Sequence, residues 1–214
     1  MAPSNEISFI VVAKNYRFYI VVICIAWYGF RVTSFMSWMG SGWPEWVAQG
    51  FLDSDEEFEH FSNSINDFMS IGNLAVVVLN VVSGAIVDFT RKKSTDDRIG
   101  TATGLIICYS IVTISSLCNS FFAAFQTKWT AYVSVSSLLF ARGFSTLWAP
   151  MVQLLFPIKF FGLIFGFISV ASILFNLTSV PMFAFIEDTY DYSVISYVFS
   201  GLTSLVAMLA IGKG

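Results

Sequence analysis

Two arginines stand deep inside apolar stretches of this 214-residue chain: Arg31, about thirteen residues into a run over 18–39, and Arg142, about twelve residues into a run over 130–150. A guanidinium stays charged in proteins and presents five N–H donors in a fixed fork. Inside an apolar run it needs an acid, a set of carbonyls, water or an anionic ligand. At about 1.5 Å of rise per residue, both arginines fall near the middle of a bilayer-sized helix. No Asp or Glu lies at the middle of any apolar run; Asp67 and Asp88 sit at run ends. The chain therefore offers no intramembrane carboxylate of the kind that relays protons. Arg grips a carboxylate through two parallel hydrogen bonds. Arg142, and secondarily Arg31, are accordingly candidates to line a path for a small carboxylate-bearing solute. Pairing with an acid outside this chain is the structural alternative.

Small polar residues accompany the arginines at helical spacing. Arg31, Ser34 and Trp38 share one face; Arg142, Ser145 and Thr146 share another. Ser169, Ser172, Asn176 and Ser179 form a third stripe, and Asn73, Asn80 and Gly84 a fourth. Such stripes face other helices or water rather than lipid. Ser34, Ser145, Thr146 and Asn176 join the arginines as path candidates, with interhelical hydrogen bonding as their alternative role.

Other chemistries find little support. His60 is the only histidine, which excludes a His-rich metal site, and no Gly-x-Ser-x-Gly, HExxH or midplane Asp pair is present. Asp53, Asp55, Glu56, Glu57 and Glu59 are oxygen ligands in kind, but they lack EF-hand spacing and its glycine. They read as a solvated acidic face. The sequon at Asn176 lies inside an apolar run and is set aside. No catalytic residue, metal or cofactor is expected.

The elements that must position these residues follow from composition. The chain is 56% hydrophobic and 12% charged, against about 25% charged in a soluble domain. That excludes an ordinary soluble globule and a disordered chain. A net charge of −3 without a basic stripe argues against a nucleic-acid partner. The expected class is an all-α membrane protein, whose runs do not alternate as barrel strands would. A spanning helix needs about 20 mainly apolar residues. Six spans are expected, at about 18–39, 66–88, 99–122, 130–150, 160–185 and 193–212, after a cytoplasmic segment over 1–17. No cleavable signal is evident before the first run. Cys24, Cys108 and Cys118 all lie in apolar runs and read as small hydrophobes rather than a disulfide framework.

Orientation follows from the basic residues. With the N-terminus in the cytoplasm, Lys14, Arg17, Arg91, Lys92, Lys93, Arg98, Lys159 and Lys213 fall inside, and Lys128 alone falls outside. Both termini are expected to be cytoplasmic, and the 40–65 segment to form an acidic outer loop. Trp38, Trp43, Trp46 and Trp129 cluster at the expected membrane edges. Gly162 and Gly166 form one GxxxG pair, Gly100 and Gly104 another, each suited to close helix approach. Pro181 is expected to kink or end its helix.

The end of the second span reads Gly84-Ala-Ile-Val-Asp88-Phe-Thr-Arg91-Lys92-Lys93. A glycine, a spaced aspartate and a basic cluster between the second and third helices resemble the signature of the major facilitator superfamily, without its usual second glycine. The resemblance implies a gating role for Gly84, Asp88, Arg91, Lys92 and Lys93. Downstream, Arg142-Gly-Phe-Ser145, Leu155-Phe-Pro157, Phe160-Phe-Gly162-Leu-Ile-Phe-Gly166 and Val180-Pro181-Met-Phe follow in order. That order resembles the large neutral amino acid transporters of solute carrier family 43, and specifically their second six-helix half. Trp148, Pro150 and Phe160 depart from that pattern. The resemblance implies a transporter half for amino acids, working by facilitated rather than proton-coupled transport. It further implies a second six-helix half or another copy as partner, and a plasma-membrane location. A non-transporting scaffold, a regulatory remnant of a transporter, or a truncated fragment inactive alone is the competing reading.

Overall fold

The computed structural model of the chain describes residues 9–48, 55–123 and 127–189, and these are helical with no strand among them. The helices are α1 (Phe9–Ala13), α2 (Tyr16–Ala48), α3 (Asp55–Lys93), α4 (Asp97–Ala123), α5 (Lys128–Ser145), α6 (Trp148–Leu155) and α7 (Phe161–Thr189). Four stretches among the described residues are long and apolar enough to cross a membrane: Glu59–Lys93, Asp97–Asn119, Lys128–Leu155 and Ile158–Leu177. They cover the second to fifth expected spans. The first expected span lies within α2. The sixth, at 193–212, lies outside the described residues.

Neighbouring helices are fixed by paired contacts along their length. Phe18 meets Phe167, while Trp27 and Phe30 meet Phe175, so α2 and α7 run in the same direction. Glu57 pairs with Lys128 and Asn80 with Thr146, so α3 runs alongside α5. Between them α4 runs the opposite way, with Gly100 against Arg91 and Cys108 against Ser83. The chain thus crosses back and forth. One end gathers the starts of α2, α4 and α7 and the ends of α3 and α6, and with them Lys14, Arg17, Arg91, Lys92, Lys93, Arg98 and Lys159. Arg98 ties that end together by donating to the Leu154 carbonyl at 3.1 Å.

Several expectations are corrected by the helix boundaries. The segment 40–65 is largely helix rather than loop: α2 continues to Ala48 and α3 begins at Asp55. At about 1.5 Å per residue α3 exceeds a hydrocarbon core of about 30 Å, so its acidic start projects beyond it. The spacing Phe61, Ile65, Phe68 sustains that projection, with Phe61 and Ile65 buried and both phenylalanine rings packed on Tyr132. Arg91, Lys92 and Lys93 form the last turn of α3 rather than a loop, where cations suit the helix dipole. The fourth span is broken. α5 ends at Ser145 and α6 starts at Trp148, because Pro150 brings no N–H to the Thr146 carbonyl and its ring crowds that position. α7 runs through Pro181 to Thr189, so Pro181 does not end it. Within 1–17, Phe9 packs on Phe18, Phe160 and Phe167, which anchors α1 to the bundle.

Close packing is concentrated where α3 crosses α4. A Cβ on Gly100 would lie 2.6 Å from the Arg91 Cα, and one on Gly104 2.7 Å from the Val87 Cα. Gly72 and Gly143 are similarly blocked, by Leu139 and Leu79. The expected contacts at Gly84, Gly162 and Gly166 are not made among the described residues, none of which lies within 4 Å of a Cβ at any of the three. The helix facing Gly100 and Gly104 arrives over three residues of spacing that no side chain larger than hydrogen permits. Below the cavity described next, α6 inserts Met151 and Val152 into a core with Phe18, Leu105, Phe156 and Ile164.

Gly100→Ala is expected to lose roughly 1–3 kcal/mol, since its neighbours are backbone and cannot yield. Gly162→Ala and Gly166→Ala meet no neighbour among the described residues and should be neutral, or gain up to about 1 kcal/mol of helix propensity. Thermal unfolding in detergent checks this, and equal losses at all three positions would contradict it.

Candidate functional site

The two mid-helix arginines have different fates. Arg31 is 4% exposed and turns toward α4. Its Nη1 donates to Ser116 Oγ at 3.0 Å; its Nη2 donates to the Ser116 carbonyl at 2.9 Å and to Asn119 Oδ1 at 2.6 Å. Asn119 passes the network to α5. Its Nδ2 donates to the Ser134 carbonyl and Oγ, each at 2.9 Å, and Ser134 Oγ donates back to the Asn119 carbonyl at 2.9 Å. Ser116, Asn119 and Ser134 are each at most 1% exposed. Oxygens of Ser116 and Asn119 thus bear on the charge, and one guanidinium joins α2, α4 and, through Asn119, α5.

Arg142 sits three residues before the end of α5 and is exposed on this chain's surface. Its Nη1 donates to Asn73 Oδ1 of α3 at 3.0 Å. One α3 turn pair further on, Thr146 donates to Asn80 Oδ1 at 2.8 Å. Ser145 donates to the Arg142 carbonyl at 2.9 Å, in the last turn of α5. Asn73 and Asn80, read from the sequence as a stripe, are therefore the α3 partners of the α5 terminus.

Arg142, Ser145 and Thr146 line one cavity of about 330 Å³. Its other walls come from Cys24, Ile25, Tyr28, Gly29 and Val32 of α2, Tyr109 and Val112 of α4, Trp148 and Met151 of α6, and Ser172 of α7. Tyr28 and Tyr109 each lie twelve residues along their helices, about 18 Å from the basic end. The cavity is thus near mid-height of the bundle. Three of the path residues expected from sequence come together there. Arg31 and Asn176 are not among its walls, and the Ser34 side chain lies outside the described part of the structure. Arg31 belongs instead to the buried network, because α4 presents Ser116 and Asn119 on the face it meets. Asp88 and its basic neighbours are exposed at the basic end, away from the cavity.

Sequence reasoning missed Asn119, Ser116 and Ser134. The signal was an i, i+3 pair of polar residues late in an apolar run. It also missed Tyr28, which precedes Arg31 by one turn, and Tyr109. A second depression, at the acidic end, is bounded by Glu56, Glu57, His60, Ser64, Lys128 and Tyr132. There Lys128 pairs with Glu57, and Ser64 and Tyr132 share a hydrogen bond of 2.7 Å. The α5 start beside it is capped reciprocally by Thr127 and Thr130. No group of three or more potential metal ligands occurs among the described residues. No family model, curated protein or solved structure matches the chain.

Removing Asn119 takes one acceptor from a buried guanidinium and the bonds from Ser134, at a cost of roughly 3–5 kcal/mol. Asn119→Leu should therefore be severely destabilised in a detergent unfolding assay. Adding Arg31→Met to it should recover most of the loss, since the charge departs with its partner. A double variant no more stable than Asn119→Leu alone would contradict the network's role.

Proposed function

We propose that this chain is one six-helix half of a facilitator-type membrane transporter, carrying small carboxylate-bearing solutes, neutral amino acids first among them. The observation that carries the reading is the convergence of Arg142, Ser145 and Thr146 on a single mid-height cavity. An exposed guanidinium at that height is costly against lipid, and it calls for water, a ligand or a second half across from it. The face that bears it also presents Asn73, Asn80 and Thr146, which suits a helix-lined aqueous path better than hydrocarbon. The motif around Asp88 and the order of residues from Arg142 to Pro181 support the facilitator-type reading by resemblance.

In this reading the solute's carboxylate meets Arg142, whose second nitrogen supplies the parallel bond that a fork geometry allows. The side chain of the solute rests on Ile25, Val32, Val112 and Met151. Transport is facilitated, driven by the solute's own gradient. The opposite wall belongs to a second six-helix half or another copy. Both termini and the basic end face the cytoplasm, and the plasma membrane is the host bilayer.

Arg142→Lys should insert and express normally but weaken amino-acid binding or uptake in proteoliposomes by roughly 1–3 kcal/mol. Normal binding by Arg142→Lys, together with failed assembly of Arg142→Ala, would instead make Arg142 structural. For orientation, a cysteine introduced as Asp55→Cys in a cysteine-free background should react with an impermeant maleimide on intact cells. Labelling only after permeabilisation would reverse the topology.

A further inference from the structure

Tyr28 and Tyr109 line the cavity beside Arg142; the Tyr109 hydroxyl is buried with no hydrogen-bond partner among the described residues, and the buried Tyr28 hydroxyl lies against the Ser145 side chain. Tyr109 is only 7% exposed. A buried phenol ordinarily finds a partner, because losing water without replacement is unfavourable. Two other cavity hydroxyls have their protons committed: Ser145 donates to the Arg142 carbonyl and Thr146 to Asn80. The tyrosines come from α2 and α4, and these two helices are held in register by Arg31 and Ser116, one turn beyond Tyr28 and two beyond Tyr109. Two phenol oxygens able to accept a further hydrogen bond are thus rigidly placed at one cavity that also holds a guanidinium.

We infer that Tyr28 and Tyr109 bind the second polar group of the solute, the α-ammonium of an amino acid, through their phenol oxygens while Arg142 holds its carboxylate. The inference rests on the cavity being the solute site. A phenol oxygen accepts as well as donates, so it serves an ammonium without a buried counter-charge. The tyrosines then act as specificity-determining residues: they separate amino acids from carboxylates of the same shape that lack the amino group.

The test compares leucine with its des-amino analogue, 4-methylpentanoate, for binding to the full chain in proteoliposomes. The wild-type chain should bind leucine more tightly. Tyr28→Phe and Tyr109→Phe should each weaken leucine about five- to tenfold and leave 4-methylpentanoate unchanged, so that the preference collapses. The thermal stability of Tyr109→Phe should be unchanged or raised, since no satisfied hydrogen bond is lost. Arg142→Lys should weaken both ligands. If Arg142→Lys weakens both ligands while the Phe variants keep the preference, the tyrosine assignment fails and the cavity reading stands. If neither ligand binds, or Arg142→Lys affects neither, the cavity reading fails and takes the assignment with it. Lowered stability with an intact preference would assign the hydroxyls to structural bonds and overturn the inference.

Discussion

A guanidinium in the middle of a helix bundle has to be compensated, and the oxygens of Ser116 and Asn119 accept three hydrogen bonds from Arg31. Ser116 and Asn119 take up its two terminal nitrogens, and Asn119 is itself held by Ser134. The cost of desolvating an ion is several kcal/mol, so the network stands only when every member is in place. Three helices are therefore fixed relative to one another at one level. The positions of Tyr28, one turn from Arg31, and of Tyr109, two turns from Ser116, follow from that constraint.

The second arginine is treated differently because its helix is treated differently. α5 is stopped at Ser145 by Pro150, and α6 resumes beyond a two-residue break. Arg142 is consequently near a helix end, anchored through one nitrogen to Asn73, with its side chain beside the cavity. α6 then packs Met151 and Val152 beneath, closing the cavity toward the basic end. The same sequence device that interrupts a span thus shapes both the floor and the charged wall of the site. Tight crossing of α3 over α4 at Gly100 and Gly104 brings Asn73 and Asn80 within reach of the α5 terminus.

The helical class, four of the spans and the segregation of basic residues to one end were legible in hydropathy and loop charge, since these depend on local composition. The joint placement of Arg142, Ser145 and Thr146 was legible because residues three and four apart share a helix face. The fate of Arg31 was not. Its partners are 85 and 88 residues away, and nothing local to it distinguishes a buried pin from a path residue. The GxxxG pairs show the same divide: identical spacing gives a close crossing at Gly100 and Gly104 but no neighbour among the described residues at Gly162 and Gly166. Spacing identifies a face, whereas its occupant is set by tertiary packing. The break before Pro150 was marked in the sequence by the proline, yet hydropathy carried the span straight through it.

The central claim is a division of labour, with Arg31 structural and Arg142 available to a carboxylate. Guanidinium nitrogen NMR on arginine-labelled protein in lipid nanodiscs addresses it directly, with the two signals assigned by single Arg→Lys substitutions. On addition of leucine, the Arg142 side-chain signal should shift in a saturable manner, while the Arg31 signal stays fixed and its N–H protons exchange slowly with solvent. A saturable shift of Arg31 with Arg142 unmoved would contradict the account.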